Sequence, residues 1–232
     1  MTPSPGASPP IGGVNGRRPD WKLPRGPHDL PRELVAEHQR RRLLAGAVRS
    51  LAQRGYAAMT VEHILVDAEV SRTTFYENFG NKRECVLVAH EDAFDRFLWE
   101  LFDACGERSS WPAKVAAGVG ATIEFAIQTP DEARLLFLDA VAAEPVLVGR
   151  VLASNDFLVT LLRSGRDQCP GAARLPEPTE RALIGAAAAV IGTRLMAGQE
   201  GRLAALESQL VHLFLMPYLG REEARRVAET VS

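Results

Sequence analysis

The sequence predicts an all-α protein. Over most of its 232 residues, apolar side chains recur every three or four positions, which is the spacing of amphipathic helices. Capping residues such as Ser, Thr and Asn, and breakers such as Gly and Pro, separate these periodic segments. No segment alternates in the manner of a strand, and no internal repeat is present. We therefore expect an unstructured segment over residues 1–30, a three-helix domain over 31–84 and a larger helical domain over 85–232.

The first 30 residues are dominated by Pro, Gly and Ser and have no apolar periodicity. Such a segment cannot bury enough surface to offset the entropy of ordering, so we predict that it is disordered. Its second half is basic, with four cationic side chains around Trp21: Arg17, Arg18, Lys22 and Arg25.

The first predicted helix starts at Pro31, a residue suited to the first helical turn, and continues to about Arg54. Gly55 can adopt the left-handed conformation that ends a helix. The buried stripe of this helix is formed by Leu43, Leu44, Ala47, Val48 and Leu51. The three arginines at 40–42 suit either a solvated face or a contact with phosphate.

Residues 60–79 have the length and the capping signals of a helix-turn-helix. Thr60 and Ser71 can each accept a hydrogen bond from a free amide in the first turn of the helix that follows. Phe75 and Phe79, four residues apart, should point inward together. The side chains that remain on the outside of the second helix are Arg72, Thr73, Thr74, Tyr76 and Asn78. These types read base edges and bind phosphates when such a helix enters the major groove, and Arg72 matches the two acceptors of guanine. Ser71 is a further candidate for DNA contact, whereas Thr73 and Thr74 suit either a thymine methyl or phosphate contact or a capping role.

The F-Y-x-x-F-x-x-K pattern formed by Phe75, Tyr76, Phe79 and Lys82 resembles that of the TetR family of transcriptional regulators. The resemblance covers about residues 43–90 and implies a DNA-binding domain in which the lysine holds a DNA phosphate. Thr60 and Tyr76 are further candidates for phosphate contacts. Where the family usually has glycine in the turn, this chain has Glu69, and a left-handed backbone there would cost about 1 kcal/mol.

With DNA as the expected partner, the basic segment at the N-terminus has two interpretations. Arg17 and Arg18 either reach a groove or phosphates beside the recognition helix, as homeodomain arms do, or belong to a solvated tail. The charge distribution agrees with DNA at one end only. Residues 1–84 carry 13 basic and 9 acidic side chains, a net +4, whereas residues 85–232 carry 14 and 20, a net −6.

Other classes of site have little support in the sequence. The three cysteines are odd in number and lack C-x-x-C spacing, which favours reduced apolar residues over a disulfide framework. The five histidines show no metal-ligand spacing, and no nucleophile motif is present, so we expect no enzyme activity, metal or cofactor. Since no apolar run reaches membrane-spanning length and no signal peptide is evident, we expect a cytoplasmic protein without a membrane partner.

The larger domain should consist of six or more helices. The capping pair Asn81 and Glu84 opens the first of them, and Pro or Gly marks most of the later breaks. The predicted helices cover about 82–104, 111–128, 131–143, 145–166, 179–197, 203–219 and a short terminal segment.

The last two long helices carry apolar stripes that suit either the core of one chain or a dimer interface. The first stripe is very rich in alanine, which permits close approach of a second helix. The resemblance implies that these helices pair with their symmetry mates in a homodimer. The candidate interface residues are Leu183, Ala187, Ile191, Leu206, Leu210 and Leu213.

The middle helices combine aromatic side chains with a few polar ones. Aromatic residues at helical spacing form either an ordinary core or the wall of a pocket, and the resemblance implies an effector pocket here. Thr122 and Asn155 lie on apolar stripes, and their hydrogen bonds would come from backbone carbonyls or from a ligand. The candidate pocket residues are Phe94, Phe97, Thr122, Phe125, Phe137 and Asn155, and a small apolar or amphipathic effector is expected.

The leading hypothesis is therefore a dimeric repressor that binds a palindromic double-stranded DNA operator and is released by a small-molecule effector. One alternative is an activator, or a regulator without an effector. Another, from a different class, is a helical enzyme or carrier with an incidental basic helix pair.

Overall fold

Ten α-helices make up most of residues 32–139 and 145–231, which are the residues that the computed structural model describes, and these two ranges contain no strand. The helices are α1 Arg32–Ala58, α2 Val61–Ala68, α3 Arg72–Asn78, α4 Lys82–Gly106, α5 Trp111–Gln128, α6 Pro130–Arg134, α7 Pro145–Arg163, α8 Thr179–Met196, α9 Glu207–Leu219 and α10 Arg221–Glu229. The all-α prediction is confirmed. The predictions for the N-terminal arm, including Arg17 and Arg18, and for Pro31 concern residues outside the described ranges.

Helix α1 changes direction at Gly55, where we expected it to end. Gly55 has φ +70° and ψ 160°, and one further turn continues to Ala58. Only glycine adopts this backbone conformation without strain. The Gly55 carbonyl then accepts a hydrogen bond from the Met59 amide at 3.1 Å, so the chain is already turning into α2.

Helices α2 and α3 begin where the capping residues predict. The Thr60 hydroxyl accepts from the His63 amide at 3.3 Å, while the His63 ring accepts from the Thr60 amide at 3.2 Å. This is a capping box with histidine in the position usually held by glutamate. The Ser71 hydroxyl caps α3 by accepting from the Thr74 amide at 3.1 Å.

The turn between α2 and α3 is left-handed at Glu69, with φ 52° and ψ 46°. The Glu69 amide donates to the Val66 carbonyl and the Val70 amide to the Leu65 carbonyl, both at 3.2 Å, which is the Schellman arrangement. Arg42 of α1 supports this turn from outside: its guanidinium donates to the Glu69 carbonyl at 2.9 Å and to its carboxylate at 3.0 Å. The turn therefore has the geometry that glycine would provide, with an arginine holding it in place.

The first three helices pack closely on the start of α4. Phe75 and Phe79 are buried, as predicted, together with Leu43 and Ile64. Gly46 marks the closest approach of α1 to α2, since a Cβ atom there would lie 2.7 Å from the Cβ of Ala68. These contacts fix the angle at which α3 stands relative to the rest of the domain.

The larger domain differs from the sequence prediction at two helices. The segment expected as one helix over 131–143 consists of α6 followed by a π-helical turn, Leu135–Asp139, and residues 140–144 lie outside the described ranges. Helix α9 begins at Glu207 and not near Leu203, because two 3₁₀ turns, Glu200–Arg202 and Ala204–Leu206, come first. None of the described helices is both long and apolar enough to span a membrane.

A buried carboxylate joins the last helices. Glu180, fully buried in α8, receives two hydrogen bonds from Arg166 at 2.6 and 2.8 Å and one from the Tyr218 hydroxyl of α9 at 2.8 Å. Burial disfavours the charged form, but the hydrogen bonds from Arg166, the backbone and Tyr218 outweigh it and lower the pKa of Glu180 to about 2. This network holds α9 against α8 and the end of α7 through charge-assisted hydrogen bonds.

Candidate nucleic-acid interface and internal cavity

Helix α3 presents one polar face to solvent. Arg72, Thr73 and Tyr76 are exposed, and Tyr76 keeps 52 % of its surface accessible even though its ring packs edge-on against Phe75 at 5.3 Å. Phe75 and Phe79 beneath them are in the core, so the helix cannot rotate to hide this face. An exposed fork-shaped cation beside hydroxyl groups suits the floor and walls of a DNA groove.

Two of the side chains expected on this face serve α3 itself. Thr74 is only 9 % exposed, and its hydroxyl lies 2.9 Å from that of Ser71. The prediction that Thr74 points outward is wrong, because it completes the cap on the inner side of the helix. Asn78 is half-buried and donates to the Thr74 carbonyl at 2.8 Å, which closes the C-terminal end of α3.

Arg72 is paired with Glu62 of α2 across the surface of the helix-turn-helix. Both side chains are more than half exposed, so the pair can open or rearrange at little cost. A backbone hydrogen bond, and then the charge of Arg72, hold the pKa of Glu62 below its usual value. Glu62 thus stays ionised near neutral pH and restricts where the Arg72 guanidinium can point.

Lys82, at the start of α4, has a different environment from the one expected. Its ammonium group donates to the carbonyl of Tyr56 at 2.8 Å and to that of Met59 at 2.9 Å. It also lies 4.2 Å from the centre of the Tyr56 ring, within the range of a cation–π interaction. Lys82 therefore ties the N-terminus of α4 to the end of α1, and two of its three donors are already engaged. Its contact with a DNA phosphate stays a prediction, as does that of Thr60, which is exposed at the start of α2.

A cavity of about 410 Å³ lies inside the larger domain between α4, α5, α7, α8 and α9. Four of the six predicted pocket residues line it: Phe97, Thr122, Phe137 and Asn155. Phe94 and Phe125 are not among its lining residues. Phe125 is buried and packs edge-on against Phe97 at 5.4 Å, and Phe94 lies behind the same ring at 6.1 Å. Both side chains therefore pack next to a lining residue and not on the cavity surface, and their contact with an effector stays a prediction.

The two polar residues predicted in the cavity have different surroundings. The Thr122 hydroxyl donates to the Gly118 carbonyl one turn earlier at 2.7 Å, so the backbone satisfies it without a ligand. Asn155 is half-buried, and among residues 32–139 and 145–231 no hydrogen-bond partner for its amide is found. Its amide is therefore available to a bound molecule.

Several lining residues were not anticipated. They include Trp111 and Lys114 at the start of α5, Cys105 and Gly106 at the end of α4, Ser164 after α7 and Phe214 of α9. Each lies near a helix end or on a remote helix, so no local periodicity relates one to another. The sequence indicates only where the helices that carry these residues begin and end. Ser110, for example, marks the start of α5, and its hydroxyl accepts a hydrogen bond from the Ala113 amide at 3.4 Å.

Most of the residues predicted at a dimer interface belong to the core of one chain. Leu183, Ala187, Ile191, Leu206 and Leu210 are buried by other helices of the same chain, and Ala187 and Ile191 line the cavity. They are mostly covered within one chain, although Leu183 also lines a shallow groove on α8 and α9, and their contact with a second chain stays a prediction. Leu213 is half-buried and borders a shallow groove on α8 and α9.

A different stripe of α8 is exposed and consists of small side chains, one turn apart along the helix: Ala182, Gly185, Ala186, Ala189 and Thr193. Val190, Met196 and, on α9, Met216 extend it with larger apolar groups that are between 39 and 57 % exposed. This surface has the smooth composition that permits a second helix to approach closely.

Comparison with known proteins agrees with this architecture. Residues 43–89 match the family described as bacterial regulatory proteins, tetR family. The fatty acid degradation regulator FadR from Bacillus halodurans superposes with a TM-score of 0.67 at 19 % identity over 79 % of this chain and 96 % of that one. FadR from Bacillus subtilis in complex with stearoyl-CoA superposes with a TM-score of 0.66 at 19 % identity, over 78 % of this chain and 98 % of that one. A TetR-like transcriptional regulator from Rhodococcus sp. RHA1 superposes with a TM-score of 0.64 at 26 % identity, over 81 % of this chain and 97 % of that one. No curated protein sequence matches the chain.

Proposed function

We propose that this chain, which belongs to the tetR family of bacterial regulatory proteins, is a transcriptional repressor that binds a palindromic operator as a homodimer. In this proposal a small molecule in the internal cavity releases the repressor from DNA. The observation that carries it is the exposed face of α3, on which Arg72, Thr73 and Tyr76 stand over a buried phenylalanine pair.

The groups on that face divide into base readers and phosphate contacts. Arg72 has the guanidinium geometry that pairs with the O6 and N7 acceptors of guanine, and its exposed pair with Glu62 can open to allow this contact. Tyr76 of α3 and Thr60 at the start of α2 are exposed and carry hydroxyl groups suited to phosphate oxygens. Lys82 adds its third donor from the start of α4.

Dimerisation is supported by the exposed small-residue stripe of α8 together with Met216 of α9. A two-fold axis through these helices would pack the same stripe of two chains together and bury their exposed methionines. Binding to a palindrome further requires that the two copies of α3 lie on one side of this dimer. Half-sites one DNA turn apart, about 34 Å, are what such a pair of recognition helices requires.

Effector control is supported by the cavity and by the elements that form its walls. Phe97 of α4 and Phe137 of the π-helical turn meet edge-on at 5.8 Å on the wall of the cavity. The π-helical turn and α6 also contact α1 of the DNA-binding domain. A ligand that favours a different packing of α4 and this turn would shift the dimer towards a spacing of the α3 helices that no longer fits adjacent grooves. The FadR of Bacillus subtilis, solved with stearoyl-CoA, has the same fold.

The experiment begins with selection of genomic fragments by the purified protein, followed by affinity measurements on the selected site. Arg72→Ala should weaken binding by about 1–3 kcal/mol and remove discrimination at one base pair in each half-site. Arg225→Met is a matched control, because Arg225 is an exposed cation of α10 paired only within its own helix in the described structure. Selection of no common sequence by the wild-type protein would contradict the proposal, and full discrimination by Arg72→Ala would contradict the role of Arg72.

A further inference from the structure

Among the described lining residues of the cavity, the exposed ones lie at one end. Phe102, Gly106, Lys114 and Ser164 are exposed, and all four lie where the C-terminal ends of α4 and α7 meet the N-terminal end of α5. The lining residues of the middle of α4 and α8, such as Phe97 and Ile191, are almost completely buried. A ligand therefore enters at this end, which we call the mouth, and its leading part reaches the inner wall formed by Phe97, Phe137 and Ile191.

The inner wall is apolar. Thr122, in the middle of α5, is a polar lining residue, and its hydroxyl donates its hydrogen bond to the Gly118 carbonyl. Placing a charge or an unpaired polar group of a ligand at this wall would be strongly unfavourable, because the lost hydrogen bonds to water would not be replaced. The part of the ligand that reaches it must therefore be a hydrocarbon chain or ring.

One cationic side chain, that of Lys114, lines the mouth. Among the described residues that line the cavity, Lys114 is the only one with a charged side chain, and no carboxylate lines it. Burial raises the pKa of the Cys105 thiol at the mouth, while the charges of Lys114 and of nearby Arg108 act in the opposite direction. Both cations are thus close enough to the mouth to influence a group bound there. The Cys105 thiol donates to the Lys114 carbonyl at 3.3 Å, which joins the end of α4 to the start of α5.

We propose that the cavity selects an amphipathic anion, with a hydrocarbon body against the inner wall and an anionic oxygen head group, a carboxylate or a phosphate monoester, beside Lys114. This inference rests on the proposed effector role of the cavity and names the class of its ligand. The volume of about 410 Å³ lies in the range of about 300–1,000 Å³ of small-molecule sites. The amide of Asn155, between the mouth and the inner wall along α7, supplies a hydrogen bond to an oxygen of the ligand near its head.

The test compares ligands that share a hydrocarbon chain and differ in the head group: decanoate, decyl phosphate and decanol. Binding to the full-length protein is measured by titration calorimetry, with wild type, Lys114→Met and Lys114→Arg. Lys114 is exposed, so none of these variants disturbs the core. Lys114→Met should weaken binding of the two anions about two- to fivefold, the range for an exposed ion pair, and should leave binding of decanol unchanged. Lys114→Arg should restore anion binding, and the two anions show whether carboxylate or phosphate is preferred.

A second variant locates the hydrocarbon chain. Ala188→Phe adds a ring that projects from α8 into the cavity and should abolish binding of all three ligands. An equal effect of Lys114→Met on decanol and decanoate, or no effect on the anions, would overturn the inference while leaving the cavity as an effector site. Failure of all three ligands to bind wild-type protein would overturn both this inference and the effector role. The DNA-binding part of the proposed function is decided separately by the operator measurements with Arg72→Ala.

Discussion

Replacement of Lys82 by methionine should weaken both the fold and DNA binding, because the ammonium group has structural partners as well as an expected phosphate. Methionine retains most of the apolar stem but removes two charge-assisted hydrogen bonds, to the Tyr56 and Met59 carbonyls, and the contact with the Tyr56 ring. Each such hydrogen bond contributes about 1.5–3 kcal/mol when shielded, and the cation–π contact about 0.5–1 kcal/mol. Since Lys82 is half-buried, solvent reduces the total, and we expect a loss of about 2–3 kcal/mol.

Urea denaturation at a fixed protein concentration measures the first effect, and operator affinity as a function of salt measures the second. The urea midpoint should fall by about 1 M for a slope of about 2–3 kcal/mol/M. If the third donor of Lys82 binds phosphate, the slope of log affinity against log salt should fall by about 0.9 for each protomer. Arg225→Met, which removes a charge from an exposed pair on α10, should change neither quantity measurably. A wild-type urea midpoint for Lys82→Met would refute the structural role, and an unchanged salt slope would refute the phosphate contact.

Two further predictions concern the turn at Glu69 and the exposed stripe of α8. Glu69→Gly and Glu69→Ala both remove the pair with Arg42, but only glycine relieves the strain of the left-handed backbone at φ 52°. In urea denaturation the free energy of unfolding of the glycine variant should therefore exceed that of the alanine variant by about 1 kcal/mol. Equal midpoints would show that the turn is not strained. Ala186→Glu, on the exposed stripe, should give soluble monomers with weakened operator binding, whereas exposed Ala153→Glu on α7 should remain dimeric. Sedimentation equilibrium measures the oligomeric state of both variants, and a fully dimeric Ala186→Glu protein would rule out this stripe as the interface.

The DNA-binding domain was predictable because its signals are local. The cap at Thr60, the cap at Ser71 and the spacing of Phe75 and Phe79 each depend on residues within one or two helical turns, and the structure confirms all of them. Thr74 was misplaced because a seven-residue helix that begins with a cap turns its third residue towards the capping hydroxyl. Helical spacing predicts which residues share a face, but it does not show which face a cap occupies.

The surfaces of the larger domain were less predictable because they depend on contacts between distant helices. An alanine-rich helix has weak amphipathicity, so sequence does not show which of its faces is buried. Ala187 is buried and lines the cavity, whereas its neighbour Ala186 is exposed and belongs to the candidate interface. The cavity mouth combines residues 102–106, residue 114 and residue 164, and no pattern in the sequence relates these three positions.

The cavity and the recognition helix are connected through two elements that both reach α1. The first is α4, which contributes Phe97 to the cavity wall and is fastened to the end of α1 by Lys82. The second is the π-helical turn, which contributes Phe137 to the same wall, contacts α1, and follows α6, whose Glu132 pairs with Arg96 of α4. π-helical turns are rare and occur frequently at functional sites. A hydrocarbon chain packed against Phe97 and Phe137 would therefore contact both elements that support α1. Helix α1 carries Arg42, which holds the turn before α3.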